Sequence, residues 1–164
     1  MSRENVELTR RGVQAFNDRD LDALLALLDA DVEIVPILAA MEGSFHGHDG
    51  VRRWWTGLIG GFPEINIEIL EVRDLGDVTI AGWRVSGRGA ESDTPFDATV
   101  WQMHQWRRGK CVRWHAYPSK SEALEAAGCR SSRCRRRTWR WCGGCVTHSS
   151  QATLPMHSMS STST

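Results

Sequence analysis

The apolar positions change period part-way along the chain. Between residues 4 and 17, Leu8, Gly12, Ala15 and Phe16 fall at i, i+4, i+7 and i+8, which is one face of a helix. Asn17-Asp18-Arg19-Asp20 interrupts that face, and Asp20 is placed to cap a second helix carrying Leu21, Leu24, Leu25 and Leu28 on one side. A short strand follows, Val32 to Val35, which Pro36 confines to an edge or an end. A loop punctuated by Gly43, Gly47 and Gly50 leads to a third helix. There Asp49 is the expected cap, and Val51, Trp54, Trp55, Leu58 and Ile59 share a face. Gly60-Gly61-Phe62-Pro63 stops it.

From Ile65 the period is two. Ile65, Ile67 and Ile69 alternate with polar residues, Leu75-Gly76-Asp77 turns the chain, and Val78 to Ser86 makes the next strand. Phe96 to Trp106 and Cys111 to Tyr117 form a hairpin around Arg107-Arg108-Gly109-Lys110. Ser119 and Glu122 make a capping box for a last short helix, with Gly128 at its C′ position. The order α-α-β-α-β-β-β-β, with short turns between the late strands, predicts an α+β domain built on an antiparallel meander.

Composition divides the chain in two. Residues 1–128 hold all 20 acidic residues and 14 basic ones, whereas residues 129–164 hold six Arg and no Asp or Glu. The first part is expected to be the folded domain. The second, rich in Arg, Cys and Ser, is expected to be a disordered basic tail, because it lacks a periodic apolar face. Its Arg and Trp residues could meet nucleic acid through phosphates and stacking, but nucleic acid is not the expected partner of the domain. Cys142-x-x-Cys145 with Cys129, Cys134 and His148 has irregular spacing for zinc, and neighbouring His46, His48 and Asp49 do not close a site alone. Neither a metal nor another cofactor is expected. Only Cys111 lies in the first part, so no disulfide framework supports the fold. The charged N-terminus lacks an apolar signal core, and no run approaches the ~18 apolar residues of a membrane span, so a cytoplasmic location without a membrane partner is expected.

Ala15-Phe16-Asn17-Asp18-Arg19-Asp20-Leu21 through Leu28-Asp29-Ala30-Asp31-Val32, His46-Gly47-His48-Asp49-Gly50-Val51-Arg52, and the stretch from Gly109 to Gly128 together resemble the SnoaL-like family of the nuclear transport factor 2-like superfamily. The resemblance spans nearly all of residues 3–128. It implies a cone-shaped barrel, with early helices packed inside a curved antiparallel sheet, a pocket at one end and often a homodimer. It also implies three possible chemistries. The ketosteroid isomerase base would fall on Val35 or Pro36, and the tyrosine donor near Gly12 or Val13. The epoxide hydrolase Asp is replaced by Ala116 in Trp114-His115-Ala116-Tyr117. The late-strand acid/base of the aldol cyclases has no Asp here, which leaves His104 as the substitute.

His104 is therefore one candidate catalytic residue, against the reading of a polar residue on a sheet face. Glu33 is the other, against the reading of a solvated strand residue. Arg84, mid-strand, could bind a ligand carboxylate but is better read as paired with a neighbouring strand's carboxylate. Six Trp in the first 128 residues suggest an aromatic-lined pocket for a small apolar molecule, with Trp55, Trp83, Trp101, Met103, Trp114 and Tyr117 as its expected lining. Alternation puts Arg113, His115 and Tyr117 on one face of the last strand, and Asp97, Thr99, Trp101, Met103 and Gln105 on one face of the strand before it. Both sheet faces carry large apolar groups, so a partner subunit is expected over the second face. Two functions fit: a pocket with isomerase-like or cyclase-like proton transfer, or a non-catalytic ligand-binding or dimerisation module of the same fold.

Overall fold

A computed structural model describes residues 2–128 except residue 38; the expected tail, 129–164, lies outside the described residues. Helices α1 (Ser2–Asn17) and α2 (Leu21–Ala26) lead into strand β1 (Leu28–Val35). A single-turn helix α3 (Ala39–Glu42) and a two-residue strand β2 (Phe45–His46) precede α4 (Gly47–Gly61). Strands β3 (Asn66–Asp74), β4 (Val78–Arg88), β5 (Pro95–Arg107) and β6 (Lys110–Tyr117) follow, and α5 (Lys120–Gly128) ends the described chain.

The local signals act where they were expected. Asp20 accepts from the Ala23 amide at 2.9 Å, and Ser119 accepts from the Glu122 amide at 3.3 Å. Arg108 and Gly109 both take positive φ, 51° and 71°, as a tight hairpin turn between twisted strands requires. Asp49 is a correction. The helix starts at Gly47 with His46 as N-cap, so Asp49 stands in the first turn, where its charge still complements the helix dipole. The earlier start depends on Gly47, whose φ is +67° and where a Cβ would meet the Ala30 carbonyl at 3.2 Å.

The six strands form one sheet in the order β2-β1-β6-β5-β4-β3. Strands β3 to β6 are the expected antiparallel meander, while β1 runs parallel to β6, pairing Ile34 with Trp114. The parallel pairing departs from the antiparallel sheet that the sequence predicts. It is possible because helix α4 and the whole meander separate the two strands in sequence, a connection long enough to return the chain in the same direction.

Helices α1, α2 and α4 pack on the concave face. Phe16, Leu24, Val32, Ile34 and Val51 are buried there. A buried polar tie fixes α1 to the sheet: Thr9 Oγ1 lies 3.0 Å from Thr79 Oγ1, which also accepts from Trp106 Nε1 at 2.9 Å. The other face has its own small core. Val78, Ile80 and Met103 are buried against Ala123 and Ala127 of α5, with Trp101 and Tyr117 packed around them. Lys120 fastens α5 by bonding Glu71 at 2.7 Å and lying 5.0 Å from the centre of the Trp101 ring. The large groups on the second face are thus partly covered by the chain itself.

Thr79→Val keeps the volume but leaves the Trp106 N–H without its buried acceptor. The expected loss is about 1–3 kcal/mol in urea unfolding. A loss below the error of that measurement would show that the tie does not hold α1 to the sheet.

Candidate functional site

Curvature of the sheet leaves more concave surface than the helices cover. The uncovered part is a cavity of about 510 Å³ open at one end. Its walls come from the inward residues of β5, Phe96, Ala98, Val100 and Gln102, from Val85 and Trp83 of β4, and from Ala116 and Trp114 of β6. Ile34 and Val35 of β1 continue the wall, with Pro36 and Ile37 after them, and α4 contributes Trp54 and Leu58. Phe62 meets Phe96 edge-on at 5.1 Å where the chain leaves α4. Among the described residues no Asp, Glu, His, Lys, Arg, Cys or Tyr lines this space.

Phe16, Trp83 and Trp114 border both this cavity and a void of about 20 Å³ deeper in the cone, so they form the wall between the two. Trp114 is the centre of that wall. Its ring meets Trp54 edge-on at 5.1 Å and Trp83 edge-on at 5.7 Å. Its indole nitrogen donates to Gln102 Oε1 at 2.8 Å. The Trp83 nitrogen is buried without a partner among the described residues.

His104 borders the deeper void, not the cavity. It lies opposite Trp114 on β6 and Thr79 on β4, with its ring 5.6–6.0 Å from those of Trp83, Trp106 and Trp114. Its Nδ1 has no hydrogen-bond partner among the described residues. Burial without a compensating charge pushes its pKa down from 6.5 to about 3. The imidazole is therefore neutral near pH 7 and screened by indoles from anything in the cavity. Cys111 borders the same void, and burial pushes its thiol up to about 12, which keeps it protonated and unreactive.

The remaining expected site residues are elsewhere. Glu33 points out of the cone and pairs with Arg113 at 3.0 Å, which removes it from the cavity. The cause is strand alternation: Val32 and Ile34 take the inward positions. Arg84 is paired, bonding both Asp97 oxygens, and this guanidinium holds the Asp97 carboxyl below its usual range. Of the six expected lining residues, Trp83 and Trp114 do line the cavity. Trp101, Met103 and Tyr117 do not; they lie on the outer face around α5. Trp101 is held there because its ring covers Gly82 on the neighbouring strand, where a Cβ would meet it at 2.8 Å. Trp55 is buried in the core edge-on to Phe16 at 5.1 Å. Sequence reasoning missed Trp54, Gln102 and the short residues Ala98, Val100 and Ala116. The signal is the alternation of β5, which separates Phe96, Ala98, Val100 and Gln102 from Trp101 and Met103 without showing which set faces inward.

Val35, Pro36 and Ala116, where the resemblance places the isomerase base and the hydrolase Asp, all face the cavity and carry no acid.

The family model of the SnoaL-like domain matches residues 9–114. No curated protein matches the chain. Among solved structures, an NTF2-like protein of unknown function from Burkholderia pseudomallei is similar at 20% identity, covering 74% of this chain and 95% of that one, with a TM-score of 0.65. TerC, co-crystallised with polyporic acid, is 20% identical over 74% of this chain and 96% of its own, with a TM-score of 0.64. A putative SnoaL-like polyketide cyclase from Jannaschia sp. is 15% identical over 77% and 92%, also with a TM-score of 0.64. At these identities the likeness is one of fold.

The unfolded chain protonates His104 below pH 6.5 and the folded chain does so only near pH 3, so stability is full above pH 6.5 and falls as pH drops through that window. Urea unfolding at pH 7 and pH 5 should show a loss of about 2 kcal/mol more in the wild-type protein than in His104→Phe. Equal losses in the two proteins would mean that His104 is not held neutral.

Proposed function

This chain belongs to the SnoaL-like domain family, and from that membership we propose that it binds a small apolar molecule in the cone as a binding module, not as a proton-transfer enzyme. One observation carries the reading: a cavity of about 510 Å³ is walled by apolar side chains and by no titratable group of the described residues. Small-molecule sites are concave, mostly apolar and supplied with few polar groups, and this space has that character. Proton transfer needs a group within hydrogen-bond reach of the substrate whose pKa suits the working pH. The positions at which the family's isomerases and hydrolases would carry such a group are apolar here. His104 is behind the indole wall, and Glu33 is outside the cone in an ion pair.

N-phenyl-1-naphthylamine, a neutral fluorophore that brightens in apolar surroundings, tests the reading. The wild-type protein should bind one equivalent, with blue-shifted emission and quenching of tryptophan fluorescence. Ala98→Trp projects a ring into the cavity and should weaken binding by about tenfold or more, equivalent to about 1.4 kcal/mol. Its urea midpoint should stay close to that of the wild type, since the ring enters open space. Absence of binding to the wild-type protein, or undiminished binding to the filled variant, would overturn the proposal.

A further inference from the structure

Among the described residues, Gln102 is the one buried polar side chain, apart from the indoles, that lines the cavity; Ser92 and Thr94, which also line it, are exposed and bond to each other in their loop. Gln102 is only 6% exposed. Its neighbours across the two flanking strands are Ala81 and Ala116, short residues that leave the carboxamide unobstructed. An indole N–H can only donate, so the 2.8 Å bond from Trp114 fixes which end of the carboxamide is oxygen. The oxygen is used on Trp114, and the NH2 group is left over. Among the described residues that nitrogen has no hydrogen-bond partner. The nearby Trp83 N–H is likewise buried without one.

We propose that Gln102 is the specificity-determining residue of the cavity, donating to an acceptor oxygen, such as a ketone, quinone or ester carbonyl, on a neutral and otherwise apolar ligand. This rests on the binding reading above and adds the ligand's chemical class. A donor left unmet among apolar groups selects a ligand that offers an acceptor, because the bond then replaces one the amide would have made to water. No cation of the described residues lines the space, so an anion would be buried against a neutral amide alone, which is unfavourable. Trp114 acts through Gln102 as a positioning residue: it turns the carboxamide and holds it.

Two probes separate this claim from the claim that the cavity binds anything. Prodan, a neutral naphthyl ketone, reports hydrogen bonding to its carbonyl through a red-shifted emission. N-phenyl-1-naphthylamine has no carbonyl. In Gln102→Met the ratio of prodan to N-phenyl-1-naphthylamine affinity should fall by about tenfold, and bound prodan should emit further to the blue. Reshaping of the cavity affects both probes and leaves their ratio unchanged. If Gln102→Met does not fold, the double variant with Trp114→Phe removes both partners of the bond and gives the same readout. 2-Naphthoate should bind at least about tenfold more weakly than 2-acetylnaphthalene. An unchanged ratio and unchanged prodan emission, with both probes bound, would overturn the role of Gln102 and leave the binding reading standing. Equal binding of the naphthoate would overturn the preference for a neutral ligand. Failure of both fluorophores to bind the wild-type protein would overturn the binding reading and this inference together.

Discussion

The interior depends on how Trp114 is held. It stands on β6 between the cavity and the deeper void, and it joins a helix and two neighbouring strands of the sheet at that level. Trp54 meets it from α4, Trp83 from β4, and Gln102 from β5 accepts from its nitrogen. Edge-on aromatic pairs of this kind contribute about 0.5–1.5 kcal/mol each beyond their buried area. They also set a boundary. Below the ring, Phe16 and the leucines of α2 leave a void of only about 20 Å³. Above it, α4 covers one side only. Protein interiors are close-packed, and a space of about 510 Å³ persists here because rigid rings below and sheet curvature around it prevent collapse.

The elements were largely legible in the sequence because their signals are local. A capping carboxylate at Asp20, a capping hydroxyl at Ser119 and a glycine turn at Gly109 each act within a few residues of themselves. What was not legible depends on partners far along the chain. Asn17 bonds both the amide and the carbonyl of Ile67, pairing with β3 as a strand would, and Arg19 holds the carbonyls of Pro63 and Ile65. The same residues read locally as nothing more than a helix end. The parallel pairing of β1 with β6 is hidden for the same reason.

Of the expected lining, Trp83 and Trp114 face the cavity while Trp101, Met103 and Tyr117 lie on the other face of the sheet. Both faces of β5 carry large apolar groups, and size alone points to the large ones as the lining of a pocket. Large rings fill space. The hollow stays open where the inward residues are short, here Ala98, Val100 and Ala116, between walls that include Trp83, Trp114 and Phe96. Trp101 and Met103 face outward because α5 offers them Ala123 and Ala127 and because Gly82 admits the Trp101 ring. Small residues at matching positions on α5 and β4 were present in the sequence. Their meaning emerges only once the register between those elements is known.

Charge is distributed by the same alternation. Arg84 with Asp97, Arg113 with Glu33, and Lys120 with Glu71 form their pairs on the outer side of the sheet. Inside, the buried polar groups described above are neutral: the Gln102 carboxamide, the Thr9 and Thr79 hydroxyls, the indole nitrogens of Trp83, Trp106 and Trp114, and the His104 imidazole. His104 shows why an acid or base is hard to keep at this depth. With no carboxylate facing it and no water-exposed side, its proton is lost well below neutral pH. A general acid/base in such a cone needs a partner that stabilises its charged form, and none of the described residues provides one. A hydrogen-bond donor needs no such support, since it is neutral whether or not a ligand is present. The interior therefore favours recognition by donation from Gln102 over transfer of a proton, and this follows from the arrangement of the strands as much as from the identity of any one residue.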